Sequence, residues 1–250
     1  MIKTVFASAS LSAVLIAASP AVAGALIVVP DSALSTYLQG GLSRVPTPTA
    51  DGTYYSDLAK LVISTKHLPS LLGVAQLATG SGGAGASAEF RYYFVLNGPG
   101  SELVPLNAQI SAAVQVVNSN GVQGGGGAAI VIGAISNVNV VLGTSPGFDY
   151  HQSYTGVQSF LAQPRSINFV DLSVSATLTG DGSHFGGFSS AFADPYITID
   201  PAFAAMHPGY SLTFSPGVGN SPAGVVPEPA AGALMLAGLG LLGAALRRGR

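Results

Sequence analysis

The chain has 250 residues, with 33 Gly, 16 Pro, no Cys and no Trp, and its charged residues amount to 8% against roughly 25% in an average globular domain. The absence of Cys excludes a disulfide scaffold and a thiolate metal site. Nine Lys and Arg are too few for a basic nucleic-acid-binding surface, and 48% hydrophobic residues at a net charge of −2 exclude an acidic disordered chain.

The N-terminus reads as a signal peptide over residues 1–23. Lys3 is the only charge before Asp31, residues 5–18 form an apolar run, and Pro20 breaks any helix. Ala21-Val22-Ala23 then supplies the small-x-small pattern that a signal peptidase accepts, with the cut between Ala23 and Gly24. A second such pattern, Ala23-Gly24-Ala25, would move the cut by two residues. The competing reading is an uncleaved anchor over residues 5–29, against which Pro20 argues.

Residues 24–222 form the ectodomain, and they read as β. Residues 56–66 mix helical spacing with β-branched side chains, and a strand is expected there. Residues 89–96 are aromatic and β-branched, and residues 110–117 alternate loosely before Asn118-Ser119-Asn120-Gly121, a hairpin signal. Residues 128–132 and 137–142 are further apolar strands. Residues 167–178 alternate, with Val170, Leu172, Val174, Ala176 and Leu178 on one side. Residues 196–199 and 210–214 close the set. The Gly runs at 80–85 and 124–127 read as loops, and residues 216–224 read as a linker. Short spacing between strands predicts an all-β sandwich or jelly-roll-like ectodomain.

Catalytic patterns fail on their chemistry. Residues 143–147 fit G-x-S-x-G, but the oxyanion hole needs an N–H on the residue after the Ser, and Pro146 has none. A glycosidase needs two carboxylates at ~5–9.5 Å, whereas Asp194 and Asp200 stand ~20 Å apart on an extended strand and read as caps of turns at its ends. The four His show no metal-ligand spacing. The expectation is therefore a protein that is not an enzyme, with no catalytic residue, no metal and no cofactor. The most polar-aromatic stretch offers Asp149, Tyr150 and Tyr154 as a glycan contact, against the alternative of aromatics buried under a loop.

The C-terminus has three parts in order. Pro227-Glu228-Pro229 comes first, then 17 residues without charge (230–246), then Arg247-Arg248-Gly249-Arg250. Seventeen helical residues rise ~26 Å, slightly under the ~30 Å of a bilayer core, so the expected span is marginal. Terminal Arg side chains are hard to translocate, which keeps that end cytoplasmic. The two prolines keep the preceding segment extended and open to a protease.

This tail, over residues 223–250, resembles the PEP-CTERM sorting domain of Gram-negative bacteria. The resemblance implies recognition by an exosortase-type membrane peptidase that cuts near Pro227-Glu228-Pro229. It also implies a host that makes exopolysaccharide and biofilm matrix. Two Asp-Pro dipeptides, Asp194-Pro195 and Asp200-Pro201, together with residues 210–215 and 217–220, resemble more loosely the last strands of other PEP-CTERM ectodomains. The sequence thus points to an exported protein that meets the translocon, signal peptidase and exosortase. It would be anchored transiently in the inner membrane through residues 230–246 and end at the cell surface or in the extracellular matrix. Its role there is structural or exopolysaccharide-associated; the alternatives are a carbohydrate-binding module and a glycan hydrolase. Removing both ends leaves five basic and eleven acidic residues in 24–229, a net charge of 5 − 11 = −6.

Overall fold

The computed structural model describes residues 27–39, 52–55, 58–66, 68–77, 81–117, 122–144, 149–181 and 187–220. The signal-peptide reading at Ala21, Ala23 and Gly24 lies outside them, as does the tail with Pro227, Glu228, Pro229, Arg247, Arg248 and Arg250. Among the described residues no helix is long and apolar enough to cross a membrane.

Two antiparallel sheets pack face to face. Sheet A runs in the order β1 (Ala33–Gln39), β5 (Ser81–Asn97), β10 (Ile167–Asp181), β7 (Val122–Gly133) and β8 (Val138–Gly143). Strand β12 (Ser211–Phe214) pairs with β5 beyond the end of β1, and Ser215 joins the two by accepting from Tyr93 N and donating to Pro30 O. Sheet B runs in the order β2 (Gly52–Tyr55), β3 (Ala59–Ser64), β4 (Ser70–Leu77), β11 (Gly187–Ile199), β6 (Val104–Val117) and β9 (Tyr150–Ala162). The alternation seen in residues 167–178 is the pleat of β10: Val170, Leu172, Val174, Ala176 and Leu178 are all buried between the sheets. The stretch at 56–66 contains a strand, β3, as its β-branched residues favour.

The core is a wedge. At one end Phe90, Tyr92, Phe94 and Phe160 fill the gap between sheets, while at the other Ala75, Ala84 and Ala176 share it with Leu77, Val122 and Leu178. Where the side chains are small the sheets come close. A Cβ on Gly73 of β4 would stand 3.0 Å from the Ala86 carbonyl of β5, and one on Gly126 of β7 would stand 2.8 Å from Val114 Cγ1 of β6. This corrects the loop reading of both Gly runs. Residues 81–85 and 124–127 are paired strand, matched to β10 residue by residue. Within these runs Gly126 is the residue whose missing side chain lets the two sheets approach. The hairpin expected around Asn118–Gly121 is also absent as such, because β6 belongs to sheet B and β7 to sheet A; the turn residues themselves lie outside the described set.

The two Asp-Pro dipeptides have different fates. Asp200 caps α1 (Pro201–Met206): its Oδ1 accepts from Ala202 N and Phe203 N at 3.0 Å, and Oδ2 accepts from Asn107 Nδ2 at 3.1 Å. These bonds hold its carboxyl below the usual range. Asp194 caps nothing. It lies inside β11, just past Ala193, where β4 stops pairing. Pro195 is tolerated because its missing N–H would face that freed edge; two residues on, the amide of Asn220 pairs there with both Ile197 N and Ile197 O. Gly219 N also bonds Thr65 O, so residues 215–220 are part of the fold, and the linker reading fails for them.

Asp194 Oδ1 and the Tyr92 hydroxyl are both buried without a hydrogen-bond partner. Burial pushes the Asp194 carboxyl above its usual range and, with the Asp194 charge adding to it, pushes the Tyr92 phenol up as well. A carboxyl raised in the folded state contributes stability that is fully present below its unfolded pKa of about 3.9 and lost as pH rises through the folded value. Asp194→Asn is therefore expected to raise the thermal midpoint at about pH 7 and leave it unchanged at about pH 3. Equal midpoints at the higher pH would contradict the penalty assigned to this carboxylate.

Candidate functional site

The outward face of sheet A is concave and polar. Register places its outward side chains in rows that cross the strands. One row reads Ser35, Glu89, Ser173, Ala129 and Val141 from β1 to β8. The next reads Tyr37, Ser87, Ser175, Gly127 and Gly143. These rows line a trough of about 480 Å³. It adjoins a second of about 530 Å³ lined by Ala33, Arg91 and Asp171 beside the first row. The rows exist because β1, β5 and β10 each alternate a buried apolar residue with a small hydroxyl or a charge.

Arg91 and Asp171, opposite each other on β5 and β10, form a bidentate pair at 2.5 and 2.6 Å. The guanidinium also lies over the Phe169 ring at 5.3 Å, and the carboxylate pushes the Arg91 pKa up. Glu89 sits one row away, exposed, and makes no ion pair among the described residues. The trough thus offers serine hydroxyls that donate or accept, one carboxylate that accepts, and the half-exposed Tyr37 ring at its rim.

Paired-carboxylate hydrolysis needs one acid kept neutral by its surroundings beside one that is ionised. Both oxygens of Asp171 are taken up by its fork to Arg91, and Glu89 faces solvent. The acid that burial does raise, Asp194, lies on β11 in the other sheet. Glu102 accepts a short hydrogen bond from Tyr210 that lowers its pKa and ties the β5–β6 turn to the segment before β12. No cluster of three His, Cys, Asp or Glu that could hold a metal occurs among the described residues.

The glycan candidates from the sequence fall elsewhere. Asp149 immediately precedes β9, and Tyr150 and Tyr154 lie on it, at the edge of sheet B. Both tyrosines share the inward parity of Phe160 and Ala162 and are half-buried. Tyr150 donates to Gln152 at 2.6 Å, and Gln158 donates to the Tyr154 hydroxyl at 3.0 Å. The Tyr154 ring leans over Gly156 and packs against the core. They do not line the trough. The alternation of residues 167–178 places Asp171 and Ser173 together on the side opposite Val170 and Leu172, but their neighbours Glu89 and Ser35 join them only through register, which no local pattern encodes.

The described chain ends at Asn220, and residues 225–250 match the PEP-CTERM protein-sorting motif. No curated protein matches the sequence. The chain therefore carries the sorting motif of exported proteins that exosortase processes at the membrane.

Proposed function

We propose that this is a non-catalytic, exopolysaccharide-associated component of the cell surface or extracellular matrix. It is delivered by signal peptide and translocon, then held in the inner membrane by residues 230–246 with its C-terminus cytoplasmic. Exosortase then releases it by cutting near Pro227-Glu228-Pro229. One observation carries the reading: the sorting motif at 225–250 follows a β-sandwich in which Arg91, Asp171, Asp200 and Glu102 are engaged in structural contacts. Arg91 with Asp171, Asp200 on its helix and Glu102 with Tyr210 are all engaged in holding strands and turns.

The polysaccharide contact is assigned to the sheet A trough. Rows of hydroxyls at the ~4.8 Å strand spacing meet the hydroxyls of an extended sugar chain, and the Tyr37 ring offers an apolar face. The test is retention on the exopolysaccharide of the producing cells. Tyr37→Ala and Glu89→Ala together are expected to weaken retention about tenfold, equivalent to about 1.4 kcal/mol. Tyr150→Ala with Tyr154→Ala is expected to change it little. The opposite pattern would move the contact to β9, and hydrolysis of the polysaccharide would overturn the non-catalytic assignment.

A further inference from the structure

Among the described residues the longest edge strand is left unguarded. Strand β9 spans 13 residues and among the described residues pairs only with β6, in a register without a bulge from Val116↔Tyr150 to Val104↔Ala162. Natural edge strands are usually blunted by Lys, Pro, inward charges or bulges. The sequence of β9, YHQSYTGVQSFLA, contains no Lys, Arg, Asp, Glu or Pro.

Which backbone groups are free follows from one contact. At Leu161 both N–H and C=O turn away from β6 and meet Ser136, Leu161 N donating to Ser136 Oγ at 2.7 Å and Leu161 O accepting from Ser136 N at 3.5 Å. In a regular antiparallel ladder the outward groups recur every second residue. They therefore belong to Ser159, Val157, Thr155, Ser153 and His151, and none of these finds a partner among the described residues. Ser136 closes the ladder at one end, and the free stretch is centred on Thr155.

We propose that this edge pairs with β9 of a second copy of the chain, antiparallel and with the twofold axis at Thr155. The stretch is self-complementary in that register. Thr155 meets its own mate, a favourable cross-strand pair, and Ser153 faces Val157 of the partner subunit. On the inward side Gln152 meets Gln158 of the partner subunit, amide to amide. Tyr154 meets the partner's Gly156, the residue over which its ring already leans within one chain. No like charges oppose each other anywhere along the pairing. Every outward N–H and C=O from His151 to Ser159 gains a partner, and the two six-stranded B sheets become one continuous sheet. This gives the tyrosines of β9 a role in assembly. It rests on the sandwich alone and stands whether or not the trough holds polysaccharide.

The chain contains no Cys, so a single introduced thiol reports the register. At the twofold axis the two Cα atoms of Thr155 stand ~5.5 Å apart, within the ~4.4–6.8 Å of a disulfide. At Val157 the mates are four residues out of line, ~14 Å along the strand, and cannot be bridged. Mild oxidation of the exported protein should give a covalent dimer for Thr155→Cys and none for Val157→Cys. Light scattering should give a dimer for the unmodified protein and a halved mass for S153K/V157K, which sets Lys against Lys. S153E/V157K, which sets Glu against Lys, should restore it. A monomeric unmodified protein, an unchanged mass in S153K/V157K, or cross-linking at 157 equal to that at 155 would each overturn the proposal.

Discussion

Deleting residues 225–250 is expected to empty the cell-surface and matrix fractions of this protein. The deletion removes the whole matched sorting motif and, with it, the apolar stretch 230–246 and the three terminal Arg side chains. What remains is the sandwich and the N-terminal segment proposed as its secretion signal, so the product should cross the inner membrane and stay soluble behind it. An all-or-none effect is expected, because the proposed route holds the protein at the membrane through residues 230–246. Point substitutions divide the tail by task. Replacing Pro227, Glu228 and Pro229 with Ala should leave a longer, uncut precursor in the membrane fraction. Replacing Arg247, Arg248 and Arg250 should loosen the orientation of the segment, since positive charge is what resists translocation at that end. Fractionation followed by intact-mass measurement reads all three. Normal delivery of the truncated protein would remove the tail from the sorting mechanism.

The outline of the sandwich was largely legible. Where one face of a strand is buried and the other wet, alternation shows in the sequence, as in β10, and strand type and facing residues both follow. Legibility failed at the glycines. A Gly run is the mark of a loop when nothing pairs or packs on it, but residues 81–85 and 124–127 pair with β10, and at Gly126 the other sheet stands where a Cβ would be; both are tertiary facts. It failed also at Asp194-Pro195, because whether an Asp-Pro ends a strand depends on whether the neighbouring strand still pairs there, and β4 had just stopped. The trough was beyond reach for a related reason. Glu89 and Ser173 are far apart in sequence and adjacent only because β5 and β10 pair in one register out of several that the apolar pattern would allow. The sorting motif was legible because its parts are contiguous and their order is its meaning.

Phe94→Ala is expected to cost ~3–5 kcal/mol of stability. Phe94 is 0% exposed and lies on β5, the strand that pairs with β1, β10 and β12. Its ring meets Phe160 of β9 edge-on at 6.4 Å across the sandwich and Phe214 of β12 at 5.9 Å along its own sheet. Truncation therefore opens a cavity walled by strands that cannot all close on it, since each is held by its own ladder. A loss of that size is a large share of the ~5–15 kcal/mol that a domain has in total. Phe214→Ala should cost less than half as much, because that ring is half-buried on a four-residue strand and water can refill its place. Denaturant titration separates the two: the midpoint should fall steeply for Phe94→Ala with the slope unchanged, since the surface exposed on unfolding is nearly the same. Combining Phe94→Ala with Phe160→Ala should cost less than the sum by roughly 0.5–1.5 kcal/mol, the share that belongs to the ring pair itself. Strict additivity would mean that β5 and β9 are stabilised separately, and the aromatic end of the wedge would then not be what joins the two sheets.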